Sequence, residues 1–172
     1  VNRISFLKIE RVSNINRKMK NYNDVTTETA KDGIKVTKYT LDGKLHRTDG
    51  PAIEYSNGNK SWYVDGLLHR VDGPAEIVEF RSTQMWYFRG KLHRKDGPAA
   101  TFNDGSEYWY SEGQLHRIGG PAHTSIDGTK MWYEQGKRHR IDGPAVERLD
   151  GTQEWYLVHK KYTEKEYAIE VK

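Results

Sequence analysis

Histidine, arginine and tryptophan recur through this chain at a fixed step, and they are the side chains best suited to chemistry. His46, His69, His93, His116 and His139 lie 23 or 24 residues apart, each is followed by an arginine, and Trp62, Trp86, Trp109, Trp132 and Trp155 keep the same step. Imidazole can ligate a metal or move a proton, guanidinium can grip a carboxylate or phosphate, and an indole can stack on a base or sugar. Spacing limits the first of these. If the repeats are strands ~4.8 Å apart, equivalent residues two strands on are ~9 to 10 Å apart. Zinc ligands must all come within ~2.1 Å of one ion. Neighbouring histidines therefore cannot share a metal, and neither a metal nor any other cofactor is expected. The plainer expectation is that each histidine packs beside its tryptophan and hydrogen-bonds within its own repeat.

Arg47, Arg70, Arg94, Arg117 and Arg140 form a second series, followed two residues on by Asp49, Asp72, Asp96, Gly119 and Asp142. Residues i and i+2 share a strand face, so an Arg–Asp pair within the repeat is expected. Arg117 breaks the rule, since Gly119 stands where the aspartate should be, and it is expected with His116 and His123 to mark an anion or acidic-partner contact. The aromatic columns pack the layer, and the column left exposed would be an interface. The candidate binding residues are thus Trp62, Trp86, Trp109, Trp132, His93, His116, Arg117 and His123. No catalytic residues are proposed. Every conspicuous residue type recurs in each repeat, whereas catalysis needs one asymmetric cluster.

These residues must be positioned by a stacked-repeat architecture, because a period of 20 to 50 residues signals units that bury their apolar faces against one another. Asn57-Gly58, Asp104-Gly105, Asp127-Gly128 and Asp150-Gly151 read as two-residue hairpin turns. That register sets Ile53 opposite Trp62, with Trp62, Ile53 and Tyr55 on one face and Tyr63, Ala52 and Glu54 on the other. A second reversal at Asp65-Gly66, with counterparts at Asp42-Gly43, Arg89-Gly90, Glu112-Gly113 and Gln135-Gly136, brings Leu68 beside Tyr63 and His69 beside Trp62. The His-Arg-x-Asp-Gly-Pro-Ala stretch reads as one long strand bent at Gly-Pro. One unit differs: its Ala75 to Trp86 stretch is a residue longer and carries Glu79-Phe80-Arg81-Ser82 in place of the turn, which predicts a distinctive loop. Thr163-Glu164-Lys165-Glu166 is a capping box that predicts a short helix over the end of the sheet, with Tyr162 and Tyr167 as its staple. Val12, Ile15, Met19 and Tyr22 have helical spacing and predict an opposite cap. The expected fold is all-β, an elongated single-layer antiparallel β-meander of about five 23-residue hairpin repeats with a short C-terminal capping helix. Its expected organisation is a basic N-terminal segment or cap at 1–31, the repeat array at 32–161 and the capping helix at 162–172.

The motif Trp-x-x-x-Gly-Lys-x-His at a 23-residue step, clearest at Lys91-Leu92-His93 and Lys137-Arg138-His139, resembles the MORN (membrane occupation and recognition nexus) repeat and its variant in bacterial and phage proteins. The resemblance covers about Asp32 to Lys161. The chain departs from it in carrying Arg-x-Asp-Gly-Pro-Ala after the histidine where the usual repeat has Gly-x-Gly. The resemblance implies an elongated meander that binds other proteins, assembles complexes or dimerises. The array is therefore expected to be a non-enzymatic protein-binding scaffold or inhibitor, with a homodimer as one form of partner.

Composition adds a second expectation. Only 35% of residues are hydrophobic and 30% are charged, and the chain has no cysteine, which fits a thin layer in a reducing, cytoplasmic setting. No apolar run approaches the ~20 residues of a transmembrane helix, and residues 1–20 show no signal-peptide pattern. Residues 1–38 carry a net charge of +5 and the remainder −1. The alternative function is therefore an anion-binding module that holds nucleic acid, a nucleotide-type ligand or acidic lipid through the basic N-terminal segment and the His and Arg columns.

Overall fold

The computed structural model describes residues 21–172. Two kinds of turn alternate along the chain, and they fix everything else. Asp65 and Gly66 both have positive φ, 52° and 80°, so they form the two-residue turn whose twist matches a hairpin. It pairs Tyr63 with Leu68 and Val64 with Leu67. The same pair of left-handed residues recurs at Asp42-Gly43, Arg89-Gly90, Glu112-Gly113, Gln135-Gly136 and Val158-His159.

The Asn-Gly and Asp-Gly turns are of the other kind. Tyr55 N–H donates to the Asn59 carbonyl at 3.0 Å and Gly58 N–H to the Tyr55 carbonyl at 3.0 Å, and only Gly58 of the loop is left-handed. This is a three-residue loop with a glycine bulge, not the expected two-residue turn. The Asp104, Asp127 and Asp150 carboxylates hold it by accepting the backbone N–H two residues on, at 2.8 to 2.9 Å. The extra residue slides the register by one, so Ile53 faces Ser61 and Glu54 faces Lys60. Because side chains alternate, the slip exchanges the faces: Glu54 shares the tryptophan side and Ile53 the Tyr63 side. In the longer unit a single 3-10 turn, Glu79–Arg81, with Ser82 at φ 44°, replaces the glycine loop.

The main sheet runs in chain order from Asp24–Thr29 to Lys160–Tyr162, every pairing antiparallel. It is the expected β-meander, and the helix Glu164–Glu170 closes its C-terminal end. The ladder is interrupted at each tryptophan from Trp62 to Trp132. Beyond the break, Tyr63–Val64 with Leu67–Leu68 and three equivalent pairs form separate two-stranded hairpins, stacked beside the main sheet. The stretch from His69 to Ala75 is not a bent strand as expected, but a loop without ladder pairing. Its ends bond to neighbouring backbone through His69 N–H, Arg70 N–H and the Ala75 carbonyl, and its Pro74 carbonyl accepts from a side chain, as described below.

The core is thin. Ala52, Ala75, Ala99, Ala122 and Ala145 are at 0% exposure, and among the described residues Val146 is the only large side chain buried completely. The backbone at these alanines is paired across the sheet, with Trp62 N–H donating to the Ala75 carbonyl and Ala52 N–H to the Ser61 carbonyl, both at 2.8 Å. At the C-terminal end Tyr167, 4% exposed, stacks on Trp155 with ring centres 4.7 Å apart. Its hydroxyl donates to the Arg140 carbonyl at 2.8 Å. Thr163 and Glu166 make the full capping box. At the other end Asp24–Thr29, from the expected N-terminal segment, pairs with Lys35–Leu41 as the first strand. Of the residues whose spacing predicts an N-terminal cap, Val12, Ile15 and Met19 lie outside the described residues.

Val158 and His159 hold the left-handed turn without glycine, at φ 47° and 73°. A left-handed L-residue costs about 1 to 2 kcal/mol. His159→Gly should therefore raise the stability by about 1 kcal/mol in urea melts, and an unchanged or lowered midpoint would show that the turn is unstrained.

Candidate functional site: the arginine-loop face

Each repeat loop is built around its arginine. The guanidinium carbons of Arg70, Arg94, Arg117 and Arg140 lie 4.1, 4.0, 3.7 and 4.0 Å from the ring centres of Trp62, Trp86, Trp109 and Trp132, and Arg47 lies 4.0 Å from Tyr39. These are cation–π distances. Nη1 of each arginine donates to the carbonyl of the proline four residues on, at 3.1 to 3.3 Å. The loop then passes directly over the charge. A Cβ placed on Gly50, Gly73, Gly97, Gly120 or Gly143 would come within 2.6 to 3.0 Å of the guanidinium carbon. A side chain there would push the arginine beneath it out of its place.

The histidine Nδ1 atoms act between repeats, and His139 also reaches Glu134 of its own repeat through Nε2 at 3.3 Å. Nδ1 of His46, His69, His93, His116 and His139 accepts the backbone N–H of Asp65, Arg89, Glu112, Gln135 and Val158, at 3.1 to 3.3 Å. Each acceptor sits one repeat before its donor. The donor is the first left-handed residue of the next hairpin turn, whose N–H has no ladder partner because the small hairpins stand outside the main sheet. At His69, His116 and His139 an accepting Nδ1 puts the proton of a neutral ring on Nε2, whereas Nδ1 of His46 and His93 also lies 3.0 and 3.3 Å from a carboxylate oxygen of Asp65 and Glu112. Among the described residues no group of three or more His, Asp or Glu side chains could hold a metal ion.

The charge balance differs along the array. Arg47, Arg70 and Arg140 donate through Nε to Asp49, Asp72 and Asp142 at 2.8, 2.9 and 2.7 Å. These hydrogen bonds push the pKa of all three carboxyls below the usual range. Arg47 and Arg140 also reach Glu54 and Glu147 at 2.9 and 2.6 Å. Among the described residues Arg94 and Arg117 have no carboxylate partner within ion-pair distance. For Arg117 the sequence is explicit, since Gly119 replaces the aspartate and Thr124 the glutamate. For Arg94 it misleads: Asp96 has the pairing spacing, yet among the described residues the Arg94 side chain hydrogen-bonds to Pro98 alone. Sequence spacing carried no sign of this.

Open grooves lie between successive loops. One of about 490 Å³ brings together His93, Arg94, Lys95, Trp109, His116 and Arg117, with Asp96 as its one acid. The next, of about 580 Å³, joins Arg117 and Ile118 to Trp132, Arg140 and Ile141. Trp62 lines a third with Arg47 and Arg70, and Trp86 lies under Arg94. Every one of these tryptophans has one ring face occupied by its own arginine. His123 is not brought to this face. It neighbours Thr124, the counterpart of Glu147, so it points to the opposite side. There it stacks on Tyr108 with ring centres 4.1 Å apart, and its buried Nε2 has no hydrogen-bond partner.

That opposite face carries Tyr63, Tyr87, Tyr110 and Tyr133, with Tyr87 and Tyr133 hydroxyls donating to the sulfur of Met85 and Met131 at 3.8 and 3.9 Å. Burial pushes the Glu76 carboxyl up and, nearby, the Tyr63 and Tyr87 hydroxyls up. Among the described residues no helix is long and apolar enough to cross a membrane. Comparison with known proteins found no family that matches this sequence and no curated protein that does.

Burial also pushes the His123 imidazole below its usual pKa. The folded form then binds a proton less readily than the unfolded chain, so this group favours folding above about pH 6.5 and loses that advantage as the pH falls toward its lowered pKa. His123→Gln should flatten the loss of thermal stability on mild acidification. An identical pH profile would place the dependence elsewhere.

Proposed function

We propose that the chain is a MORN-like repeat scaffold, of bacterial or phage type, that binds another protein through the arginine-loop face and catalyses no reaction. The observation that carries this reading is a line of exposed aliphatic side chains. Val71, Ile118 and Ile141, each following the arginine of its loop, are 84, 88 and 69% exposed. Ile118 and Ile141 stand in adjacent repeats, ~9 to 10 Å apart, and Val71 stands two repeats before Ile118, with Lys95 at the position between. They flank grooves whose walls are half-buried tryptophans. An apolar line bordered by charged groups is the composition of a protein interface, where a few anchors supply most of the affinity. A second copy of the chain is one such partner.

The second reading is an anion-binding module for nucleic acid, a nucleotide-type ligand or acidic lipid. One observation favours it: Arg94 and Arg117 lack carboxylate partners, unlike the other three arginines of the series. Salt separates the two, because phosphate-dominated binding falls steeply with ionic strength whereas an apolar interface does not.

The test is capture of the tagged chain's partner from its native lysate, washed at high salt, repeated with Ile118→Asp and Ile141→Asp. Both residues are surface positions, so thermal stability should stay within about 0.5 kcal/mol of wild type. The reading predicts a stoichiometric protein that is lost from both variants. Equal capture by the variants would rule out this face.

A further inference from the structure

We infer that Arg94 and Arg117 form a two-point receptor for carboxylates of a partner protein, read as acidic residues three apart in an extended segment. The inference rests on the protein-binding reading above and names the chemistry of the contact.

Three neighbouring repeats show what these arginines are shaped to hold. In each, the guanidinium is fixed by the tryptophan or tyrosine ring below and the proline carbonyl beside it, and the Nε edge meets an aspartate at 2.7 to 2.9 Å. Arg47 and Arg140 add a glutamate on Nη1, from Glu54 and Glu147. Arg94 and Arg117 keep the same ring below, at 4.0 and 3.7 Å, and the same carbonyl, at 3.2 Å in both. They lack the acids. Thr101 and Thr124 stand at the glutamate position, Gly119 at one aspartate position, and Asp96 makes no ion pair. A guanidinium has five N–H donors, and each of these two gives only Nη1 to a protein acceptor. Their cradles are thus preorganised and lack the anionic half of the pair.

The two arginines line one groove with Lys95, which has no ion-pair partner among the described residues. Both arginines line this one open groove, so a chain can lie across both sites. Equivalent positions in adjacent repeats are ~9.6 Å apart. A polyproline-type segment advances ~3.1 Å per residue with three residues per turn, so acidic residues at i and i+3 point the same way ~9.3 Å apart. Ile118, beside the groove and 88% exposed, supplies an apolar contact next to the charges. A carboxylate is favoured over a phosphate because Arg47 and Arg140 are each met by single oxygens from two separate carboxyls, at Nε and Nη1, and Arg70 by one carboxyl oxygen at Nε.

The probe is a fluorescent Ser/Pro peptide with two glutamates three apart, titrated by anisotropy at low and physiological salt against the whole chain. Controls are the same composition with adjacent glutamates and a glutamine version. Wild type should prefer the first peptide over both controls. Arg117→Gln should weaken it by roughly tenfold. Thr124→Glu, which keeps the arginine and restores the missing acid from within the chain, should do the same; Glu54 and Glu147 show that the fold accepts glutamate there. Equal affinity for all variants, or no preference for the spaced glutamates, would overturn the inference. So would a single-stranded oligonucleotide that binds through Arg117 where the peptide does not. If Ile118→Asp abolishes partner capture while Arg94→Gln/Arg117→Gln leaves it intact, the carboxylate receptor fails and the protein-binding face stands. If neither change affects capture, both fail.

Discussion

A guanidinium held between an aromatic ring and a glycine backbone is the contact on which every repeat depends. The positive charge needs acceptors once it is covered, and it finds them in the ring face below and the proline carbonyl beside it. Glycine, with no Cβ, lets the loop close over it without displacing the guanidinium, whose carbon lies 2.6 to 3.0 Å from where a Cβ would stand. Proline then turns the chain back into the sheet without a backbone N–H to satisfy. His-Arg-x-Asp-Gly-Pro-Ala is therefore a closure device, and its variable residue is lifted to the surface as a consequence. The exposed aliphatic line and the grooves are by-products of how each unit shuts.

Closure of single units does not by itself make an array. Buried apolar volume is small, one fully buried alanine in each repeat and little else, so cohesion has to come from backbone pairing and from bonds between repeats. The histidines provide one such bond per interface by accepting the turn N–H of the next unit. This makes the molecule quasi-one-dimensional, each repeat depending mainly on its neighbours. Ends then need special treatment. Tyr167 supplies it at the C-terminal end, covering Trp155 and joining the backbone at Arg140 and Gly143 through its hydroxyl.

Much of this was legible in the residues. The repeat period, the meander, the Asp65-Gly66 type of turn, the Leu68 and His69 partners and the C-terminal capping box all follow from local pattern. The Asn57-Gly58 register did not, because Asn-Gly suits both a two-residue turn and the last two positions of a three-residue loop. Choosing between them takes knowledge of which residues face each other across the sheet, and a one-residue error exchanges the faces. The histidine bonds were missed for a related reason: within-repeat periodicity cannot distinguish a contact at its own repeat from one at the next. At the candidate site Gly119 exposed the irregularity of Arg117, whereas Arg94 was hidden behind an aspartate at the right spacing that makes no bond. His123 was placed with Arg117 by proximity in sequence, but alternation along its strand sends it to the other face.

The direct measurement is a double-mutant cycle between Arg70 and Gly73 by urea unfolding. Gly73 has no positive φ to explain it, and a Cβ there would meet the Arg70 guanidinium carbon at 2.8 Å. Forced contacts in a packed site cost about 1 to 3 kcal/mol. If the closure is as described, Gly73→Ala destabilises by that amount in the wild-type background and by less than about 0.5 kcal/mol when Arg70 is alanine. Additive effects of the two substitutions would mean that glycine is required for some other reason, and the arginine would no longer be the element that shapes the loop.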